Sequence, residues 1–318
     1  MRFHVPSLPH TQVTRSYDWC AYTAKVRRFG GMLARHGHEG IFYCGTEFEG
    51  IGEHVPVVYD VDRKRWWPNE VDDSGEWRVE FGFDHWSAAE PCWREMNDRV
   101  IEEIRERWQP GDVIALIGGN CQEQIAKAFL TEQPLIIEWG IGYEGVIPYT
   151  HHAYESQAWR HTVYAKNGWN DGRHYDTAIP NAYDTEEFTL AEDGGYFLFL
   201  GRQIERKGAP IVQQLVDLGY SVVTAGQGEP LHGVEHLGVV TGREKTELLA
   251  GATALLAPTL YIEPFGGVTV EAMMSGIPAI TTDFGCFTET ILNGVTGFRC
   301  NTLGEFERAM QLAPSIRG

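Results

Sequence analysis

The chain has no apolar run of the ~18–20 residues that a membrane-crossing helix requires. Its first residues, Met1-Arg2-Phe3-His4-Val5-Pro6, lack the charged stretch and long apolar core of a secretory signal. Together these absences predict a cytoplasmic protein. Cysteine is sparse. Cys20, Cys44, Cys92, Cys121, Cys286 and Cys300 stand apart with no Cys-x-x-Cys spacing, so neither structural zinc nor disulfides are expected. Positive charge is also short, with 26 Lys and Arg against 44 Asp and Glu and a net charge of −18. That balance opposes nonspecific attraction to nucleic acid or an anionic membrane. One local exception, Lys25, Arg27 and Arg28 beside Arg35, reads as a solvated helix face, with steering of an anionic acceptor as the alternative. No internal repeat or low-complexity tract occurs. His151-His152 looks metal-like, but neighbours in a strand point to opposite faces and no carboxylate cluster accompanies them. No metal site is expected.

What is present points to two α/β domains. At 318 residues the chain is long enough for two, each able to bury its own core. In the first half, residues 1–8 read as a strand, 9–20 as a polar loop and 21–36 as a helix closed by Gly37. Strands follow at 41–44 and possible strand residues at 55–58, inside an otherwise irregular insertion over 45–92. A helix over 93–108 ends at Pro110-Gly111. The apolar run 113–117, a helix at 121–131 and a strand at 135–138 complete the alternation. After a linker near Pro180–Phe188, strands are expected at 196–200, 220–224, 234–240, 253–257, 278–281 and 296–299. Helices are expected at 208–217, 243–251, 268–275 and 287–292. Short buried strands alternating with helices imply parallel sheets with right-handed crossovers. The expected domains are 1–183 and 184–318, with ligands at the carboxyl ends of the strands.

Chemistry concentrates in the second half. In Glu263-Pro264-Phe265-Gly266-Gly267-Val268-Thr269-Val270-Glu271, two carboxylates flank a proline, two glycines and a β-branched run. A helix opened by Gly266 and Gly267 would present free N–H groups and the positive end of its dipole to a phosphate. Glu271, one turn inside, suits a ribose diol. Upstream, the apolar run 196–200 ends in Gly201-Arg202-Gln203-Ile204-Glu205-Arg206-Lys207-Gly208. There Arg202 offers a planar fork and Lys207 a point charge to phosphate oxygens.

These two stretches resemble the donor-site signature of retaining glycosyltransferases of family 4, which have the GT-B fold. Further pieces fall in that family's order. Ile179-Pro180-Asn181-Ala182-Tyr183-Asp184 resembles its inter-domain segment, with Ala182 in place of glycine. Ala225-Gly226-Gln227-Gly228 resembles its Gly-x-Gly turn, and Ser275–Ile280 and Asn293–Phe298 resemble its last two turns. The match is strong over roughly 179–300 and loose before it. The sequence stops eighteen residues after Cys300, where family members continue into a helix that returns to the first domain; the tail is short either by nature or by truncation.

The resemblance implies an α/β GT-B fold, two Rossmann-like doubly wound domains facing a shared cleft, with the acceptor on the side of 1–183 and the nucleotide-sugar donor in 184–318. It implies transfer of a sugar from a nucleotide diphosphate to a hydroxyl, with retention and without metal or other cofactor. Arg202, Lys207 and the amides of Gly266–Val268 would stabilise the leaving phosphate, with Gly201, Gly226 and Phe265 shaping the site. Glu271 would bind ribose, and Val240 and Thr241 would border the base, expected to be uracil. Glu263 is either a nucleophile, as in retaining glycosidases, or an orienter of sugar hydroxyls; the resemblance supports orientation.

In the first half, Tyr22 and Thr23 at a helix start are candidates for the donor side facing that half. Glu138, Trp139 and Tyr143, in a glycine-rich loop, suit a sugar acceptor through stacking and hydroxyl contacts. His85, in Phe83-Asp84-His85-Trp86, is a further candidate near the transferred sugar. The acceptor is expected to be a saccharide or small molecule. Hydroxymethylated DNA bases are an alternative that the net charge disfavours. A non-catalytic nucleotide-sugar-binding protein is the other.

Overall fold

The computed structural model describes residues 1–71, 85–191 and 194–316. Residues 72–84 of the expected insertion, Phe83 and Asp84 among them, lie outside the described residues. The chain divides into two compact units, Met1–Glu155 with Gly168–Ala182, and Ser156–Asn167 with Tyr183–Gly318. The segment 156–167 therefore falls with the second unit, although it precedes the linker that the sequence suggested.

The first unit runs β1 (Arg2–Pro6), α1 (Ala21–Arg35), β2 (Glu39–Cys44), β3 (Glu53–Pro56), α2 (Asp60–Trp66), α3 (Pro91–Arg107), β4 (Val113–Leu116), α4 (Glu123–Ala128), β5 (Leu135–Ile141), β6 (His151–Tyr154) and, after α5 (Gln157–Lys166) of the other unit, β7 (Thr177–Ala178). Its seven strands are parallel in the order β3-β2-β1-β4-β5-β6-β7. Alternation splits β2 and β4 between two cores. Phe42, Cys44, Val113 and Ala115 pack with Val26, Phe29 and Leu33 of α1 on one face. Ile41, Tyr43, Ile114 and Leu116 pack with Met96, Val100 and Ile104 of α3 on the other. Burial on both faces explains why these strands read as continuous apolar runs.

The second unit runs β8 (Tyr196–Leu200), α6 (Ala209–Asp217), β9 (Val222–Ala225), β10 (Glu235–His236), α7 (Gly242–Ala250), β11 (Ala252–Ala257), α8 (Gly267–Met274), β12 (Ala279–Thr282), α9 (Phe287–Thr290), β13 (Gly297–Cys300) and α10 (Leu303–Leu312). The six strands are parallel in the order β10-β9-β8-β11-β12-β13. Helices α6 and α10 cover one face, and α7, α8 and α9 the other. In both sheets chain order reverses beside the first strand, β1 or β8. That reversal opens a crevice at the strand carboxyl ends.

Several elements depart from the sequence expectation. The insertion over 45–92 is not wholly irregular, since it holds β3 and α2. Helix α2 (DVDRKRW) has no apolar face. It is held by Asp62, whose Oδ2 accepts from Tyr59 N at 3.0 Å, and by Arg99, which donates to Asp62 at 2.6 and 3.0 Å. Strand β6 carries His152 inward, a polar residue whose burial the hydropathy pattern does not signal. The strand expected over 234–240 is only two residues long. Helix α10 was not expected, although Thr302 and Glu305 spell out a capping box at its start.

Candidate active site

In the second unit, glycines bring the loops after β8, β9 and β11 into contact. Gly201 N donates to Ala225 O at 2.8 Å. Gly226 has φ +130°, and a Cβ there would lie 2.1 Å from Gly201 O. The turn after β9 therefore rests on the start of the Arg202 loop, and Gln203 N donates to Gln227 O at 2.7 Å. A single 3-10 turn, Glu205–Lys207, ends at Gly208 with φ +85°. A Cβ on Gly208 would meet Pro258 O at 2.1 Å, so only glycine lets this loop lie against the one after β11. Leu260 N donates to Arg206 O at 2.8 Å and ties the two together.

That contact pairs residues 56 positions apart. Lys207 Nζ donates to Glu263 Oε2 at 2.6 Å, with both side chains largely shielded. Beneath them lies Tyr261, with Arg206 Cζ 4.5 Å and Lys207 Nζ 5.0 Å from its ring centroid. Burial pushes the Tyr261 phenol well up, and the charge and hydrogen bond of Glu263 add to the shift; Arg202 and Arg206 oppose it. Arg202, Lys207 and Glu263 thus all act on one ring. Arg202 is exposed and forms no ion pair among the described residues.

Beyond Glu263 the chain passes Pro264 and buried Phe265 to Gly266, the N-cap of α8, at φ +72°. A Cβ on Gly266 would lie 2.7 Å from Phe287 Cε1, and one on Gly267 would lie 2.7 Å from the Tyr183 hydroxyl. The Tyr183 ring stacks near that of Phe265, 6.3 Å between centroids at 14°. As the first residues of α8, Gly267 and Val268 carry amides with no intrahelical acceptor, and the helix dipole suits such a start to an anion. Glu271 is buried one turn on, and Lys245 Nζ donates to its Oε1 at 3.1 Å. Lys245 belongs to α7, whose N-cap is Thr241 next to buried Val240. Lys245, Tyr261 and Tyr183 were not singled out in the sequence. No spacing links α7 to α8, so only the packed sheet makes the Lys245 contact visible.

The first-unit candidates behave differently. Glu138 has no exposed surface. Its Oε1 accepts from Ile147 N at 2.7 Å and Thr150 Oγ1 at 2.8 Å, and its Oε2 accepts from Tyr143 Oη at 3.0 Å. His152 Nε2 stands 3.3 Å away, while His152 Nδ1 lies 2.9 Å from Asp176 Oδ1. Burial by itself would lower the His152 pKa; the hydrogen bond and charge of Glu138, the Ile147 carbonyl and Asp176 outweigh it and hold the pKa above the ordinary value. Glu138 is a tie for its own loop, and the sugar-hydroxyl contact expected of it is corrected accordingly. Trp139 is likewise drawn inward, its ring stacked on Phe29 at 4.2 Å and 21°. Thr23 is fully buried, with its Oγ1 2.6 Å from Thr11 Oγ1. Tyr22 and Tyr143 remain partly exposed and lie 6.0 Å apart, with Trp86 5.8 Å from Tyr22. Burial, then Glu138, raises the Tyr143 phenol. His85 sits 3.6 Å from Glu90 and near Trp67. The basic patch is not a solvated face. Lys25 donates to Gly140 O at 3.0 Å and pairs with Glu155, and Arg27 makes a two-pronged pair with Asp18 at 3.1 and 2.7 Å. Lys25 and Arg27 are therefore neutralised internally.

Comparison with known proteins fits this geometry. Residues 184–305 match the family described as Glycosyl transferases group 1. Phosphatidyl-myo-inositol mannosyltransferase of Mycobacterium tuberculosis is 30% identical over 143 residues, 37% of this chain and 38% of that protein. The match thus spans well under half of that relative. Among solved structures, AviGT4, a glycosyltransferase involved in avilamycin A biosynthesis, aligns with a TM-score of 0.65 at 19% identity over 100% of this chain and 93% of its own. HepE of Anabaena in complex with UDP and glucose aligns with a TM-score of 0.64 at 13% identity, over 100% and 92%. The chain shares with these structures its fold class, two parallel α/β units of the GT-B type.

Proposed function

We propose, from the match of residues 184–305 to the family described as glycosyl transferases group 1, that the chain is a retaining glycosyltransferase using a nucleotide diphosphate sugar. The observation that carries the reading is the convergence of Arg202, the Lys207–Glu263 pair and the opening amides of α8 at one end of one sheet. In the proposed step the bond from the anomeric carbon to the diphosphate oxygen breaks, with the electron pair leaving on the phosphate. The acceptor hydroxyl attacks the same face, and its proton passes to the departing phosphate oxygen. The products are a glycoside and a nucleoside diphosphate. Charge accumulating on the phosphate is the main electrostatic demand. Arg202, Lys207 and the amides of Gly267 and Val268 would meet it.

Glu263 takes the orienting role. Its carboxylate is engaged by Lys207, which lowers its value as a nucleophile and suits it to holding sugar hydroxyls. Glu271, steadied by Lys245, is proposed to accept from the ribose diol. The solved complex of HepE with UDP and glucose supports a uridine donor here. The proposed acceptor is a saccharide or other small hydroxyl compound.

The test is release of UDP from a panel of UDP-sugars, with purified Arg202→Ala and Lys207→Ala compared with the parent protein. Each change removes a charge from the leaving-group site, and kcat should fall by ~10²–10³, as for the loss of one transition-state donor. Full activity in either variant, with intact folding, would refute the assignment.

A further inference from the structure

We infer that Ser156 and Glu289 are positioning residues that aim the Glu263–Gly267 loop, an inference that rests on the donor-site reading above. Neither residue is part of the family-like motifs. Ser156 is buried and is the N-cap of α5, a helix that precedes the second sheet in sequence yet belongs to its unit. Its Oγ accepts from Trp159 N at 3.1 Å, as an N-cap does, and spends its single proton on Pro264 O at 2.6 Å. The cap of one helix therefore immobilises the peptide between Glu263 and the start of α8.

The same helix is held from the other side. Glu289 Oε2 accepts from Gln157 N at 2.8 Å and Glu289 Oε1 from Ala158 N at 2.7 Å. A carboxylate on two opening amides of a helix is a charge-assisted contact further favoured by the dipole. Glu289 stands on α9, and Phe287 of that helix occupies the space a Cβ on Gly266 would need. The contacts close a circuit: Pro264 to Ser156, α5 to Glu289, and Phe287 back to Gly266. Both ends lie on the loop that carries Glu263 and leads into the phosphate-binding amides. Fixing the Pro264 carbonyl and the Gly266 backbone fixes the direction of Glu263 relative to those amides. A misplacement there would be felt in the reacting geometry more than in nucleotide affinity, which Arg202 and Glu271 would still supply.

The experiment compares Ser156→Ala, Ser156→Thr and Glu289→Gln with the parent protein in two readouts. Hydrogen–deuterium exchange at the amides of residues 265–269 tests the clamp without any turnover. Exchange should rise several-fold in Ser156→Ala and Glu289→Gln, stay at the parent level in Ser156→Thr, and be unchanged in α10. Kinetics with the donor found active should show kcat lowered about tenfold in Ser156→Ala, the effect of one ordinary hydrogen bond on a barrier. The donor KM and UDP affinity should change less than twofold, and Ser156→Thr should recover kcat. A purely structural role would lower melting temperature and active fraction without this split. Unchanged exchange at 265–269 in both Ser156→Ala and Glu289→Gln overturns the inference, whatever the activity. A parent protein that neither binds UDP nor turns over any donor refutes the proposed function instead, and exchange still decides the clamp. Should Ser156→Ala fail to fold, Glu289→Gln carries the same two readouts.

Discussion

Glu263 and Glu271 are the same residue type eight positions apart, yet each meets a different lysine. Lys207 reaches Glu263 from the loop after β8, and Lys245 reaches Glu271 from α7. Both members of the first pair lie in motifs legible in the sequence, and Gly208 must be glycine to bring its loop against Pro258, but their meeting is a product of the fold. The second pair has no local signature. Its consequence is specific: Lys245→Met removes the cation that steadies the carboxylate proposed to bind ribose. UDP affinity measured by calorimetry should fall about tenfold, near the lower end of what a hydrogen bond to a charged group contributes. Melting temperature should move little, since the pair sits at the edge of the core. An unchanged dissociation constant would detach Lys245 from the site. Glu138 shows the opposite outcome. Its glycine-rich, aromatic surroundings suggested a ligand contact, but the side chain is wholly buried and already surrounded by donors.

At the scale of elements, β5 and β6 are joined through that carboxylate. Glu138 from β5 and Asp176 flank His152 from β6, and the imidazole is held above its ordinary pKa. A raised folded-state pKa stabilises the fold fully below the unfolded value and loses that contribution as pH rises through the folded one. The midpoint of urea unfolding of the first unit should therefore decline as pH is raised from 6 to 9. In Glu138→Gln the decline should flatten, and stability at pH 6 should drop by about 3 kcal/mol, as when one partner of a buried pair is removed. A slope identical in the two proteins would exclude His152 as its source. The same elements mark the limit of periodicity as a guide. Strands β2, β4, β8 and β11 were legible because both faces are apolar. Strand β6 and helix α2 were not, because ion pairs and hydrogen bonds rather than apolar area satisfy their inward residues.

Across the whole molecule, the net charge of −18 meets an internal use of the few N-terminal cations. Lys25 and Arg27 are spent on Glu155 and Asp18, so they cannot form a positive groove for a DNA acceptor. Electrophoretic mobility of duplex DNA should be unaffected by the protein even at low salt, where electrostatic binding is strongest; a shift that weakens with salt would restore the nucleic-acid reading. The amino-acid sequence by itself determined two parallel α/β units, the glycine-dependent turns and the family resemblance carried by the second half. Each of these is written in short-range requirements: alternating apolar runs, positive φ, helix starts. Only the tertiary structure decided which charged and polar groups meet. Lys207 with Glu263, Lys245 with Glu271, Ser156 with Pro264 and Lys25 with Glu155 join residues 26 to 130 positions apart. Such pairs depend on which loops and helices the strand order brings together, and strand order is a property of the folded sheet.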